Sequence, residues 1–239
     1  MDRNGWNKRY ADKEFVWSAD PNQFLVAEAR SLPAGRALDL GAGEGRNAVW
    51  LAEQGWQVTA VDFSKLGLDK ARRLAQLRGV DVDWVLRDVT HYQPRASFYN
   101  LVLVCYLHLP QPERRRVMVS ASNAVAAKGT FLYIGHDLSN IEHGHGGPQD
   151  PAVLLTPQDV VADLPGFEII KAEVVQRKVS YEPAHGGPVM PSPSTRWFGR
   201  CGQHKRRSLG NADIVIGDDA SDYFAEAILG KITTLSYGL

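Results

Sequence analysis

The chain of 239 residues holds only two cysteines, Cys105 and Cys201, too few for a disulfide framework, so a reducing compartment is expected. Neither sign of charge is in surplus. Lys plus Arg and Asp plus Glu number 27 each, which leaves no basic excess to condense on a polynucleotide, and a nucleic-acid substrate is not expected. Long apolar runs are missing too: none approaches the roughly 18 residues that a membrane span needs. The polar opening MDRNGWNKRYADKEF lacks the apolar stretch of a secretory leader. No internal repeat appears, and no linker-like stretch divides the first 180 residues. With 44% hydrophobic and 23% charged residues, these absences leave a cytoplasmic globular α/β domain with a sizeable core as the expectation.

What is present is an alternation of short apolar strands with amphipathic helices, beginning at Arg36. Residues 37–40 read as a buried strand stopped by Gly41, and residues 47–54 as a helix with Gly55 where a C-terminal cap wants positive φ. A strand at 58–61, a helix at 66–78 closed by Gly79, and a strand at 82–86 follow. Residues 99–104 are nearly all apolar, which marks a central strand. A helix over 112–127, a strand at 130–135, a short helix from Thr156 to Leu164 and a strand over 168–178 complete the pattern. Such alternation predicts a Rossmann-like, doubly wound α/β fold, its sheet mainly parallel and covered by helices on both faces.

The informative segment is ALDLGAGEGRNAVWLAEQGWQVTAVDFS, residues 37–64. A strand runs into Gly41-Ala42-Gly43-Glu44-Gly45 and a helix follows at once, opening with Arg46 and Asn47. Glycines suit a sharp turn at which a ligand lies against bare backbone, and helix N-terminal amides then point at that ligand. Some twenty residues on, Asp62 ends the second strand, where a carboxylate can accept hydrogen bonds from a ribose diol, with Phe63 beside it. A dinucleotide site wants G-x-G-x-x-G; here the third glycine comes one position early, and Arg46 stands where that pattern has glycine.

The Asp39-Leu-Gly-x-Gly-x-Gly run resembles motif I of the class I S-adenosyl-L-methionine methyltransferases, which carry an acidic residue on the strand before the loop. The resemblance implies a sheet of seven strands and S-adenosyl-L-methionine as cofactor. It also implies a cofactor site of Asp39, Gly41, Ala42, Gly43, Gly45, Arg46, Asn47, Asp62 and Phe63. Asp88 would meet the adenine amino group and the amide of Val89 an adenine nitrogen. Cys105 to Pro110 would face the methyl-transfer centre. Trp6 and Arg9, in the opening WNKRY, resemble the N-terminal cover of the tellurite-resistance and thiopurine methyltransferase branch.

Methyl transfer from a sulfonium asks chiefly for proximity and alignment, and a base matters only when the nucleophile must lose a proton. His108, at the end of the fourth strand, is the first candidate for base or substrate orienter. Tyr106 is read more as a wall, and His136 with Asp137 also ends a strand at the cleft. His143 and His145 invite a metal reading, but no cysteine completes a site, so none is expected and a glycine-rich loop at the substrate entrance is preferred. Arg114, Arg115 and Arg116 are read as a solvated helix face opposite Val117, Val119 and Val125.

Residues 1–35 are thus expected to cover the cofactor and 36–182 to form the core, while 183–239 are an atypical tail. Pro188, Pro191 and Pro193 argue against the family's last, antiparallel strand over 188–203. Back-translation with G/C-rich codons gives, two nucleotides on, an alternating run that resembles this strand. One reading is therefore a frameshift near His185 to Pro188; the other is a genuine extension with a strand at 213–216 and a helix at 223–229. The function expected is methylation of a small-molecule acceptor by a monomer or homodimer. The alternatives are a non-catalytic S-adenosyl-L-methionine binder and, less in keeping with the glycine spacing, a nicotinamide dehydrogenase.

Overall fold

The computed structural model describes residues 3–11, 16, 18–144, 147–179, 192–203 and 212–214, with 176–179, 192–203 and 212–214 followed as backbone. Two N-terminal helices, α1 (Arg3–Ala11) and α2 (Gln23–Ala29), precede the alternating part. That part runs β1 (Arg36–Leu40), α3 (Arg46–Glu53), β2 (Gln57–Asp62), α4 (Lys65–Arg78), β3 (Asp83–Leu86), β4 (Tyr99–Cys105), α5 (Gln111–Ala124) and β5 (Val125–Gly135). Short helices α6 (Asn140–His143) and α7 (Pro157–Ala162) lead to β6 (Phe167–Val179), β7 (Ser192–Gln203) and β8 (Ala212–Ile214). The expected sheet is present, in the order β3-β2-β1-β4-β5-β7-β6, with β8 at its end. Strands β1 to β5 are mutually parallel, and β7 is antiparallel to both its neighbours. Among the described residues eight strands therefore stand where seven were expected.

Strands buried on both faces must be apolar throughout, and the period of two then decides which core each side chain joins. Leu38 and Leu40 of β1, Val102 and Val104 of β4, and Phe131 and Tyr133 of β5 pack with Val117, Met118 and Ala121 of α5. Their alternates Ala37, Leu101, Leu103, Cys105, Leu132 and Ile134 pack with Phe24, Leu25 and Leu51 of α2 and α3. The helix stops lie where glycine was read to place them: Gly55 has φ 87° and Gly79 φ 66°. Thr156 and Asp159 form a reciprocal capping box at the start of α7.

Three expectations need correction. Residues 192–203 do form the antiparallel strand between β5 and β6. Pro188 and Pro191 fall before it, and Pro193 is its second residue, opposite Lys178 of β6. On its other side β7 meets β5 only from Trp197 to Cys201, so Pro193 is at an edge position where a missing donor is tolerated. Next, α5 ends at Ala124, because Val125 turns extended and Lys128 takes φ 61°, and the chain enters β5 at once. Lastly, Val119 is exposed while Met118, Ala121 and Ala124 are buried, and Arg114 leaves the solvated face to pair with the buried Asp163 at 2.6 Å. The strand read at 213–216 corresponds to Ala212–Ile214, and the helix read at 223–229 lies outside the described residues.

Candidate functional site

The strand order reverses between β1 and β4, and ligands of open α/β sheets bind in the crevice at such a switch point. The loop after β1 enters this crevice. Gly43 takes φ 56° and passes so near Tyr10 that a Cβ would sit 2.7 Å from its hydroxyl oxygen. Gly45, at φ 79°, begins α3 where a Cβ would lie 2.5 Å from that of Ala71. Both positions combine a left-handed backbone with close approach, which only glycine allows.

Asp62 fastens the loop. Its Oδ2 accepts the Gly43 amide at 2.8 Å and its Oδ1 the Ser64 amide at 2.8 Å. Burial pushes its carboxyl up, while the amides of Ser64, Gly43 and Phe63 pull the other way. Asp39 lies on the face of β1 next to Ala37 and is fully buried. Burial, then the charge of Asp62, pushes its carboxyl up to about 7 against the opposing charge of Arg46. Its Oδ2 has no hydrogen-bond partner among the described residues. A buried acceptor without a partner is costly, and a cationic or amine-bearing ligand at this point would satisfy it.

Helix α1 lies over this loop. Asn7 Oδ1 accepts the Ser64 hydroxyl at 2.6 Å, and Tyr10 is buried between Gly43 and Gly67. The carboxylate of Glu44 accepts the Val16 amide at 3.0 Å and pairs with Lys70 at 2.9 Å. Of the residues expected here, Trp6 stacks on Tyr10 at 5.4 Å, while Arg9 is exposed with its guanidinium over Trp6. Asn7 and Tyr10 belong to the WNKRY opening read as the cover and Glu44 to the glycine loop, but none of the three was singled out as a site residue. Asn47 is spent on α2: its Oδ1 accepts the Asn22 amide at 2.9 Å, and Asn22 in turn caps that helix.

Beyond Asp62, a cavity of about 560 Å³ is lined by Arg3, Asn7, Phe63, Lys65, Asp88 and His91. Asp88 Oδ1 accepts from the amide and hydroxyl of Thr90 at 2.9 and 2.7 Å. Burial raises its carboxyl, but these bonds and the charges of His91 and Arg3 leave it below the usual range. Val89 packs on the core beside it.

On the other side of the loop, the ends of β4 and β5 bring three candidates together. Tyr106 has φ 54° and donates its amide to Ile134 at 2.7 Å. Its ring lies 4.8 Å from that of His136 and 6.2 Å from that of His108. His136 Nδ1 and His108 Nε2 are 2.9 Å apart. Asp137 Oδ1 makes a local turn, accepting from the amide and hydroxyl of Ser139. Among the described residues no three His, Cys, Asp or Glu side chains are placed to hold a metal ion; His145 is not among them.

Residues 37–129 match the family model of a methyltransferase domain. Over 182 residues the chain is 25% identical to thiocyanate methyltransferase 1 of Brassica oleracea, covering 72% of this chain and 77% of that one. It is 30% identical over 114 residues to a protein of Geobacillus sp. (strain WCH70) provisionally named a methyltransferase; the match spans 46% of each chain. The fold resembles N-methyltransferase NodS of Bradyrhizobium japonicum WM9, solved with S-adenosyl-L-homocysteine, with a TM-score of 0.59 and 16% identity over 83% of this chain and 96% of that one. No helix among the described residues is long and apolar enough to cross a membrane. A glycine loop at the switch point, the carboxylates of Asp39 and Asp62 beside it and these likenesses agree: residues 37–129 are similar to a methyltransferase domain, on a fold like that of solved methyltransferases.

Proposed function

We infer that this protein transfers a methyl group to a small-molecule acceptor at the carboxyl edge of its sheet. The observation that carries the reading is the buried, partnerless Oδ2 of Asp39 beside the glycine loop that Asp62 fastens. Asp39, the backbone of Gly41, Ala42, Gly43 and Gly45, and the half-buried Arg46 would hold the amino-acid end of the cofactor. Asp62 and Phe63 would hold its ribose, Asp88 and Val89 its adenine, and Cys105 the floor beneath it; Trp6 and Arg9 support the cover from outside. S-adenosyl-L-methionine, when bound, supplies an electrophilic methyl group on a sulfonium. The protein's own work is then to align the acceptor for in-line displacement and to exclude water, the former by Tyr106, His108 and His136, the latter by α1.

Soft nucleophiles, thiols and thiocyanate among them, are the first acceptors to try, in keeping with the thiocyanate methyltransferase likeness. A cytoplasmic monomer or homodimer without nucleic-acid partners completes the reading. Isothermal titration with S-adenosyl-L-methionine and, separately, NAD tests it. Heat from the former alone is expected; binding of NAD alone would assign the loop to another chemistry.

A further inference from the structure

His108 and His136 are 28 positions apart, and the register that sets Cys105 of β4 beside Ile134 of β5 is what brings them together. Their nitrogens are 2.9 Å apart, and both rings are half-buried beside the Tyr106 ring. Two imidazole nitrogens at that distance share a single hydrogen: one ring donates it and the other must accept. The opposite nitrogen of His108, Nδ1, makes no hydrogen bond with the described residues. Burial pushes His108 down to about 4, so the ring is neutral and keeps a lone pair near pH 7.

Resting on the methyltransferase reading above, we propose that His108 and His136 act as one proton-accepting pair, so that the acceptor is a nucleophile with a hydrogen to lose, of the thiol class, and not a preformed anion. Neutral His108 carries its hydrogen on Nε2 and donates it to Nδ1 of His136, which leaves Nδ1 of His108 as the base. In the step the acceptor's X–H bond breaks and its electron pair stays on X. That atom bonds to the methyl carbon, the carbon–sulfur bond breaks with its pair on sulfur, and the proton passes to His108 Nδ1. The imidazolium so formed still donates through Nε2 to His136, a charge-assisted bond that stabilises it. His136 is thus a positioning residue that fixes the tautomer of His108. Its own ring is held in turn, for the Gly147 backbone packs so closely that a Cβ there would lie 2.7 Å from His136 Nε2. An acceptor that is already an anion, such as thiocyanate, would have no proton for this pair to take.

The test compares two acceptors in the full-length protein, an aromatic thiol kept below its pKa and thiocyanate, with methyl transfer followed by labelled cofactor. His108→Asn is expected to lower kcat for the thiol by roughly 10²- to 10⁴-fold, and to lower it for thiocyanate, which loses only the alignment, by at least about tenfold less. Equal loss on both acceptors, or no loss on the thiol, overturns the pair. A second readout needs no turnover: long-range proton–nitrogen NMR of the protein labelled at histidine. It should show His108 as the Nε2–H tautomer, becoming a mixture in His136→Ala; a His108 that carries its hydrogen on Nδ1 overturns the proposal. If titration shows no S-adenosyl-L-methionine binding, the functional reading fails while the NMR result still judges the pair.

Discussion

The carboxylate of Asp62 reaches back across the end of the sheet to the amide of Gly43, 2.8 Å away, while its second oxygen holds the amide of Ser64. One side chain thereby fixes both the glycine loop and the start of α4. Replacing it by alanine leaves two buried amides without acceptors, at about 1–3 kcal/mol each. Asp62→Ala should lower the denaturation midpoint and weaken cofactor binding at least tenfold, measured by urea titration and calorimetry. Unchanged affinity would show that the loop does not hold the cofactor.

Asp39 makes stability depend on pH. Its carboxyl stands at about 7 in the folded chain against 3.8 ordinarily, so between those values the folded state keeps a proton that the unfolded state has lost. That contribution is full below pH 4, declines as pH rises, and is gone above about 7. Asp39→Asn removes the ionisable group and should flatten this part of the profile, gaining on the order of a few kcal/mol over the wild type at pH 8 relative to pH 4. Urea midpoints at the two values decide it; a wild type and variant with parallel profiles would contradict the buried acid.

Gly45→Ala combines a left-handed φ with a Cβ set 2.5 Å from that of Ala71 and 3.1 Å from its backbone. Neither neighbour has a flexible end to swing away. The expected cost is about 3 kcal/mol or more, read from thermal or denaturant unfolding. A loss below about 1 kcal/mol would mean that α3 and α4 separate easily.

Arg114→Ala leaves the carboxylate of Asp163, which is 1% exposed, with only the longer contact to the more exposed Arg115 at 3.4 Å. Removing the only partner of a buried charge costs roughly 3–5 kcal/mol, and the remaining Arg115 contact should hold the loss at or below the lower end of that range. The double change Arg114→Met with Asp163→Leu should recover most of that loss, because it leaves no buried charge. A double-mutant cycle on unfolding midpoints measures both statements.

The core was legible because strand and helix periods are local. The nearly continuous apolar run of 99–104 and the glycines at 41, 43 and 45 carry their own reading, and Asp39 and Asp62 lie at fixed offsets from them. What stayed hidden depends on distant chain segments. Tyr10 meets Gly43 only because α1 folds over the loop, and Arg114 finds a partner 49 residues away. His108 and His136 were each singled out, but their contact follows from the β4–β5 register, which no window of sequence contains. The prolines before β7 misled for another reason: their number suggested a broken strand, whereas their position, at and before its first turn, is what the ladder tolerates.

Three fastenings hold the N-terminal segment over the glycine loop: Asn7 to Ser64, Tyr10 between two glycines, and the Val16 amide on Glu44. Each is made by the very loops that would surround a bound cofactor. We expect the spent cofactor to depart only after these contacts open. Turnover would then be paced by the peeling of a nine-residue helix, and a shortened N-terminus would trade tight retention for quicker cycling.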